Sequence, residues 1–416
     1  MIFPSSFMSQ FSTAWQPRGR FLAVLVAAVF VLPMHTPDRA QIAPEPTPLQ
    51  IQTEDAFQAA LDSIRDHHEI PGATAAYMWA GGSTGVAATG WADLEAERPM
   101  TPESRMLAAS IGKSFVGATA AVLAQEGRLE LDAPIARWLG NRPWFEDLPN
   151  QDQITLRHLL THRAGLPDHV HLEAFAEAVA RRWQEPGNPF PPDTLLQFVV
   201  GRSALFAPGE GWAYSDTGYI LAGLVIEAAT GRDYYDLVQE RFLAPLGLKK
   251  TAPSNSRTLP GLAAGYAAEN GLGFPRKTTT TDGSLVWHPG MEWTGGGLVS
   301  TSEDLARWGA ALFGGTALPE AALDQMLEAS PVDPAQPDVR YGLGVAVYRG
   351  SPFGPVYGHG GWIPGYVSSL RYYVDHGVAI AFQINTDRVQ TGDIGEVVQD
   401  LERRLAEVVL SSRERS

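Results

Sequence analysis

Cysteine is absent from this 416-residue chain. Its absence excludes a disulfide framework, a cysteine nucleophile, a thiolate metal site and the lipidated cysteine of a lipoprotein. The apolar run at residues 21–32 is too short to span a bilayer comfortably. No sequence period recurs along the chain, so it is not a repeat protein.

Positive charge is also scarce. The formal net charge is −15, which argues against nucleic acid or an anionic membrane as a partner. Of the 31 basic residues only four are lysines: Lys113, Lys249, Lys250 and Lys277. Hydrophobic residues make up 44% of the chain, which is enough to bury a large core.

The N-terminus has the pattern of an export signal. Arg18 and Arg20 precede the apolar run at 21–32, and cleavage is expected near Ala40. The alternative is an uncleaved N-terminal anchor. We therefore predict a signal peptide at 1–40, a proline-rich linker at 41–52 and one folded domain at 53–412. An exported protein of this kind would be periplasmic or secreted, with no stable membrane span after signal cleavage.

The hydrophobic pattern predicts an α/β fold. An amphipathic helix is expected at 53–67, and the C-terminus should close the domain with a helix that carries Ile394 and Leu405. Strand patterns occur at both chain ends, at 73–80, 84–89, 344–348, 355–358, 366–374 and 378–384. We expect an antiparallel sheet built from both ends and flanked by helices, with a mostly helical subdomain inserted at about 120–300. A site should lie where the two lobes meet.

Ser110 and Lys113 are the first candidate catalytic pair. They lie in an Ala-rich stretch, 106–125, whose spacing predicts a buried helix. Residues three apart on a helix have Cβ atoms about 5–6 Å apart, so the two side chains can meet. A desolvated lysine can titrate near neutrality and accept a hydroxyl proton, which arginine cannot do. The alternative is a chance pair.

Tyr214 and Asp216 are the second candidate group. They lie two residues apart in a Gly-rich turn before an apolar helix at 220–229, with both side chains on one side. A tyrosine near a lysine ammonium can act as a base or proton relay, and Asp216 could hold Lys113 by a charge-assisted hydrogen bond. The alternative makes Tyr214 a turn aromatic and Asp216 a helix N-cap.

The third candidate group is His359, Gly360, Gly361 and Trp362, between two strand-like runs. Glycines inside a strand pattern mark a close approach of backbone or ligand, and their N–H groups can bind a developing oxyanion. We expect one oxyanion donor from this strand and a second from the N–H of Ser110.

These motifs together resemble the serine β-lactamase and D-alanyl-D-alanine carboxypeptidase superfamily. The pattern is Ser-x-x-Lys, then Tyr-x-Asn or Asp, then Lys or His-x-Gly, in that order. Further stretches, at 154–166, 214–247, 295–301 and 358–385, resemble the branch that contains class C β-lactamases, DD-peptidases, D-aminopeptidases and related esterases. The resemblance covers roughly residues 55–410.

The resemblance implies a role for each group. Ser110 would be the acylated nucleophile, Lys113 its activating partner and Tyr214 the acid/base that serves the leaving group. The N–H groups of Ser110 and Trp362 would form the oxyanion hole. No cofactor or metal is implied, and the partner would be a small molecule or peptide: a D-amino-acid peptide, an ester or a β-lactam.

Two residues depart from the family pattern. Asp216 replaces the usual Asn, and a carboxylate cannot donate to a substrate carbonyl. His359 replaces the usual Lys of β-lactamases and would be only partly charged at neutral pH. The sequence thus predicts a serine hydrolase of the D-alanyl-D-alanine carboxypeptidase or esterase type. The alternatives are a class C-like β-lactamase and a non-catalytic penicillin sensor or pseudoenzyme.

Two further motifs have structural interpretations. His158 and His162 lie four residues apart, as in some metal sites, but we expect them to hold a helix end and the turn at Gly165. The run Gly295, Gly296 and Gly297 predicts tight backbone packing, because no phosphate-binding loop with a following lysine exists.

Overall fold

A computed structural model describes residues 48–183, 187–268, 275–389 and 393–413. The predicted signal peptide at 1–40 lies outside these residues. The described helices are α1 Pro48–His68, α2 Lys113–Gln125, α3 Ala136–Leu139, α4 Leu156–Leu160, α5 Glu173–Trp183, α6 Pro192–Leu196, α7 Asp216–Thr230, α8 Tyr234–Val238, α9 Ser302–Phe313, α10 Glu320–Leu327 and α11 Ile394–Arg413. None of these helices is both long enough and apolar enough to cross a membrane.

The described strands form two sheets. They are β1 Gly72–Trp79, β2 Thr84–Asp93, β3 Arg98–Pro99, β4 Met106–Leu107, β5 Ala252–Pro253, β6 Leu298–Ser300, β7 Ser330–Pro331, β8 Val339–Tyr341, β9 Ala346–Tyr348, β10 Val356–Ile363, β11 Tyr366–Tyr373 and β12 Val378–Ile384. The large sheet has the order β3-β2-β1-β12-β11-β10-β9-β8-β7, and the small one has the order β4-β6-β5.

The large sheet is antiparallel and joins the two ends of the chain. At its centre, β1 pairs with β12, with Ala73 opposite Ile384 and Trp79 opposite Val378. The strands from 72–99 are thus completed by those from 330–384, and most of the helices lie between them in sequence. This is the sheet from both chain ends that the strand pattern predicts.

Helices cover both faces of the sheet. On β12, Ile380 and Phe382 pack in one apolar cluster with residues of α1 and α11, whereas Ala379 and Ala381 belong to a second cluster with α2, α7 and α9. Successive residues of a strand point to opposite faces, so this alternation follows directly from the sequence. The second face is the one that carries the candidate site.

Several element boundaries differ from the sequence predictions. The first helix begins at Pro48 rather than at residue 53. The helix predicted at 106–125 is wrong over residues 106–112, because β4 and a 3₁₀ helix, Ala109–Gly112, precede α2. The strand predicted at 355–358 continues through the glycines to Ile363, because those glycines pair in register with β11.

A substitution at Gly117 tests how closely α2 packs against Leu343, which precedes β9. A Cβ at Gly117 would lie 2.0 Å from the backbone oxygen of Leu343, so one of the two buried segments must move. The clash should cost Gly117→Ala up to about 3 kcal/mol. The gain in helix propensity, about 1 kcal/mol, offsets part of this cost, so we expect a net loss of about 2 kcal/mol in the free energy of unfolding, measured by urea denaturation.

The matched control is Gly81→Ala, because a Cβ there meets nothing within 4 Å. Equal unfolding midpoints for the two variants would contradict the close packing of α2.

Candidate active site

Ser110 lies in a strained turn between β4 and α2. Ala109, the residue before it, has a φ of 49°, which only a minority of non-glycine residues adopt. The turn also packs closely on the glycine run: a Cβ at Gly112 would lie 1.7 Å from the oxygen of Gly296. Ser110 itself is only 8% exposed, so the nucleophile is nearly buried.

Lys113 begins α2 and is completely buried. Its Nζ donates to Ser110 Oγ at 3.0 Å, to the carboxylate of Asp216 and to the backbone oxygen of Gly295. An ammonium has three hydrogens, and all three find an acceptor here. The predicted meeting of Ser110 with Lys113, and of Lys113 with Asp216, is therefore present.

The charge state of Lys113 differs from the sequence prediction. Burial alone would lower the pKa of its ammonium, but the nearby Asp216 and Tyr214 outweigh burial and raise that pKa above its usual range. The expectation of a lysine that titrates near neutrality is therefore wrong for the resting site. Lys113 is a cation paired with Asp216.

Tyr214 lies against this cation. The Nζ of Lys113 is 4.9 Å from the centroid of the Tyr214 ring. Burial raises the pKa of Tyr214 to about 12, although Lys113 acts in the opposite direction. Tyr214 is thus a neutral phenol at neutral pH. The N-cap of α7 is Ser215 and not Asp216, because the Ser215 side chain accepts from the N–H of Gly218.

The glycines of β10 bring this strand against the turn before Ser110. A Cβ at Gly361 would lie 2.3 Å from the oxygen of Ala108, so no other residue fits there without moving the backbone. The side chain of Trp362 packs with the cluster beneath α1 and α11, on the other face of the sheet. The oxyanion role of the Trp362 and Ser110 N–H groups stays a prediction.

His359 is neutral and enclosed. Its Nδ1 lies 2.5 Å from the oxygen of Gly360, and its Nε2 lies 2.7 Å from the hydroxyl of Tyr341. Since a carbonyl only accepts, Nδ1 carries the hydrogen and Nε2 accepts from Tyr341. Burial and the ammonium of Lys113 lower the pKa of His359 to about 3. The prediction of a partly charged His359 at neutral pH is therefore wrong.

Two buried carboxyl groups beside the site are not predicted from the sequence. Burial raises the pKa of Glu292 to about 7, and burial together with Asp216 does the same for Asp168. Asp168 accepts from the N–H of Thr217 at 3.4 Å, next to Asp216. Neither residue belongs to a motif, so only the folded chain reveals them.

The glycine run also contributes more than packing. Gly296 lies against Ala109, as the prediction of tight backbone packing requires. In addition, the oxygen of Gly295 accepts from Lys113. A Cβ at Gly295 would lie 3.2 Å from Asp216 Oδ1, so a glycine leaves room for that carboxylate as well.

The two histidines of α4 have separate roles. His158 closes the N-terminus of α4 in a capping box with Thr155. His162 follows the helix and accepts from the N–H of Ser215 through Nδ1 at 3.1 Å. Among the described residues no group of three or more His, Cys, Asp or Glu side chains could hold a metal ion.

The fold and this Ser-Lys-Tyr arrangement define the serine hydrolase class. The family model described as Beta-lactamase matches residues 55–401, so the chain belongs to the Beta-lactamase family.

Sequence relatives include penicillin-binding protein 4* of Bacillus subtilis, 28% identical over 72% of this chain, and a D-aminopeptidase of Cereibacter sphaeroides, 26% identical over 80%. Esterase EstB of Burkholderia gladioli is 34% identical over 47% of this chain. The matches span 64%, 60% and 51% of these relatives' own lengths, so the chain covers less than two thirds of each.

Solved structures show the same fold over nearly their whole length. A D-amino acid amidase from Ochrobactrum anthropi, complexed with L-phenylalanine amide, has a TM-score of 0.71 and 28% identity. The match covers 87% of this chain and 99% of the amidase. A D-stereospecific amidohydrolase from Streptomyces has a TM-score of 0.70 and 28% identity, over 83% of this chain and 97% of that one.

Asp216→Asn tests the cause of the raised Lys113 pKa. The Asp216 carboxylate is the main charge that opposes the effect of burial on Lys113. Without it, burial should lower the pKa of Lys113. The wild type keeps Lys113 charged at all pH values up to 10, whereas the variant should lose a proton within that range. We expect kcat/KM of the variant to show an added ionisation between about pH 7 and 10. Superimposable pH profiles for the two proteins would contradict this assignment.

Proposed function

We propose that this protein hydrolyses amides or esters of D-amino acids through an acyl-enzyme on Ser110, releasing the amine or alcohol. The observation that carries the proposal is the charge of the site: the described residues around Ser110 present no unpaired cation. Lys113 is paired with Asp216, and burial together with Lys113 holds the pKa of His359 at about 3.

The next cation along the sheet is neutralised too. Arg371 lies behind Gly360, with a guanidinium nitrogen 3.9 Å from where a Cβ there would be. It is paired with Glu402 at 2.9 Å, on the α11 side of the sheet. Two buried carboxyl groups, those of Glu292 and Asp168, interact electrostatically with Lys113 and Asp216, and their ionisation above about pH 7 would repel a substrate carboxylate.

This electrostatic pattern separates the substrate classes. A D-alanyl-D-alanine carboxypeptidase and a β-lactamase both act on substrates that carry a carboxylate near the scissile bond, and a cation is needed to offset its desolvation. An amino-acid amide or ester carries an ammonium instead, which the acidic surroundings of Ser110 favour. The D configuration is supported by the D-aminopeptidase and D-amino acid amidase relatives.

The Ser110 hydroxyl attacks the substrate carbonyl while the Lys113 ammonium, 3.0 Å from Oγ, stabilises the developing negative charge on that oxygen. We assign the oxyanion of the tetrahedral intermediate to the N–H groups of Ser110 and Trp362. The turn before Ser110 packs against Gly361, which supports this placement.

The Ser110 proton moves through Tyr214. Because all three Lys113 hydrogens are already donated, Lys113 is not a ready base in the resting site. A neutral Tyr214 can accept the Ser110 proton as it passes its own to the leaving amine or alcohol, so the phenol is regenerated. Water then attacks the acyl-enzyme by the reverse relay, which restores Ser110 and releases the acid.

We also propose that the protein acts outside the cytoplasm, in the periplasm or as a secreted enzyme. The support is the sequence of residues 1–40, in which Arg18 and Arg20 precede an apolar run. Edman sequencing of the protein from the culture medium or periplasm would locate the cleavage point.

Two substitutions test the catalytic pair. Ser110→Ala removes the nucleophile and should abolish turnover. Lys113→Arg keeps the positive charge. The Lys113 site is fully buried and its three acceptors surround one ammonium, so a planar guanidinium does not fit there. We therefore expect kcat/KM to fall by at least about 100-fold. Lys249→Arg, at an exposed lysine, is the control and should match the wild type. Wild-type turnover in Lys113→Arg would remove Lys113 from the mechanism.

A substrate panel tests the proposed function. We would compare kcat/KM for D-alanine amide, L-alanine amide, an N-acylated D-alanyl-D-alanine peptide, 4-nitrophenyl acetate and benzylpenicillin, with Ser110→Ala throughout. We expect D-alanine amide to exceed both L-alanine amide and the peptide by at least about tenfold, since 1.4 kcal/mol gives that ratio. Faster cleavage of the acyl peptide would favour a carboxypeptidase, and faster loss of penicillin would favour a β-lactamase.

A further inference from the structure

His162 is buried beside the catalytic groups, and the mechanism above does not use it. Its side chain is 2% exposed, and its φ of 59° lies in the left-handed region. A non-glycine residue held there costs about 1–3 kcal/mol and persists only when its surroundings fix it. The surroundings of His162 therefore indicate what the strained conformation is for.

His162 accepts two backbone hydrogen bonds, one on each side of Tyr214. The backbone oxygen of His162 accepts from the N–H of Ala213 at 3.0 Å. Its ring Nδ1 accepts from the N–H of Ser215 at 3.1 Å. One residue thus fixes the backbone on both sides of Tyr214, and the left-handed turn at His162 brings its carbonyl and its ring to the same segment.

The ring of His162 also packs on the ring of Tyr214. The two centroids are 4.1 Å apart with an interplanar angle of 35°, and the rings of Tyr219 and Tyr341 lie at 5.2 Å and 4.7 Å. Because Nδ1 accepts a hydrogen bond, the neutral ring carries its hydrogen on Nε2. Burial and the nearby Lys113 keep the pKa of His162 well below its usual value, so the ring stays an acceptor.

We propose that His162 is the positioning residue for Tyr214: its Nδ1 and carbonyl hold the Tyr214 backbone, and its ring holds the phenol beside Ser110 and Lys113. The inference rests on the proposed role of Tyr214 as a proton relay. It does not depend on the D-amino-acid substrate, and simple esters therefore suffice to test it.

Two variants separate the acceptor from the ring. His162→Asn carries an acceptor where Nδ1 lies, and asparagine tolerates the left-handed conformation. His162→Phe keeps a ring and leaves the Ser215 N–H without its acceptor. His158→Phe is the matched control, since the Nδ1 of His158 also accepts a backbone N–H, that of Thr155 at 3.3 Å, at the other end of α4.

Acylation rates should report the misplaced relay. A relay matters most when the leaving group is a poor one, so we would measure kcat/KM with phenyl acetate and with 4-nitrophenyl acetate. In His162→Phe we expect a loss of about 10–100-fold with phenyl acetate and a clearly smaller loss with 4-nitrophenyl acetate. The kcat/KM of His162→Asn should lie within about fivefold of the wild-type value, and that of His158→Phe within about twofold.

A double substitution shows whether His162 acts through Tyr214. If it does, adding His162→Phe to Tyr214→Phe should cost no more than about twofold beyond Tyr214→Phe alone, because the relay is already gone. If His162→Phe does not fold, His162→Gln, whose amide lies too far along the side chain to replace Nδ1, takes its place.

Three results would overturn the inference. They are an equal loss with both esters, a full additional loss in the double variant, and a folded His162→Phe that acylates like the wild type while Tyr214→Phe is impaired. Wild-type acylation by Tyr214→Phe would instead remove Tyr214 from the proposed mechanism, and the inference would fall with it.

Discussion

The buried ion pair of Lys113 with Asp216 is the interaction on which the site depends. An unpaired ammonium at a fully buried position would cost several kcal/mol, so the fold must supply acceptors for each of its hydrogens. They come from three separate segments: Ser110 beside α2, Asp216 at the start of α7, and Gly295 before β6. The pair thus fixes where α2, α7 and the glycine run meet, and with them the nucleophile.

The same pair determines the electrostatics around Ser110. Burial raises the pKa of Tyr214 to about 12, Lys113 acts in the opposite direction, and Asp216 acts in the same direction as burial. Because Lys113 is paired with a carboxylate, it is a poor general base. The site is better suited to a proton relay through the neutral phenol of Tyr214. It also leaves little positive potential to attract an anionic substrate.

Local sequence patterns predicted the elements and the catalytic spacing, because both are short-range properties. The apolar strand-like run at 378–384 coincides with β12, and the i, i+3 spacing places Ser110 beside Lys113. The helix predicted at 106–125 is wrong over residues 106–112, because β4 pairs with β6, about 190 residues away in sequence. Glu292 and the Gly295 oxygen were missed for the same reason, since their contacts with Lys113 and Asp216 form only in the folded chain.

Protonation states were the least predictable feature, and burial explains why. A sequence supplies only ordinary pKa values, which predict a partly charged His359 and leave a desolvated lysine as a candidate base. In the fold, burial moves His359 to a pKa of about 3, while a counter-charge moves Lys113 in the opposite direction. Both side chains are buried bases, but an ammonium and an imidazole start from different ordinary pKa values, and their partners differ as well: the carboxylate of Asp216 accepts from Lys113, whereas His359 meets the neutral hydroxyl of Tyr341. Burial therefore leaves His359 neutral, whereas the counter-charge of Asp216 keeps Lys113 charged.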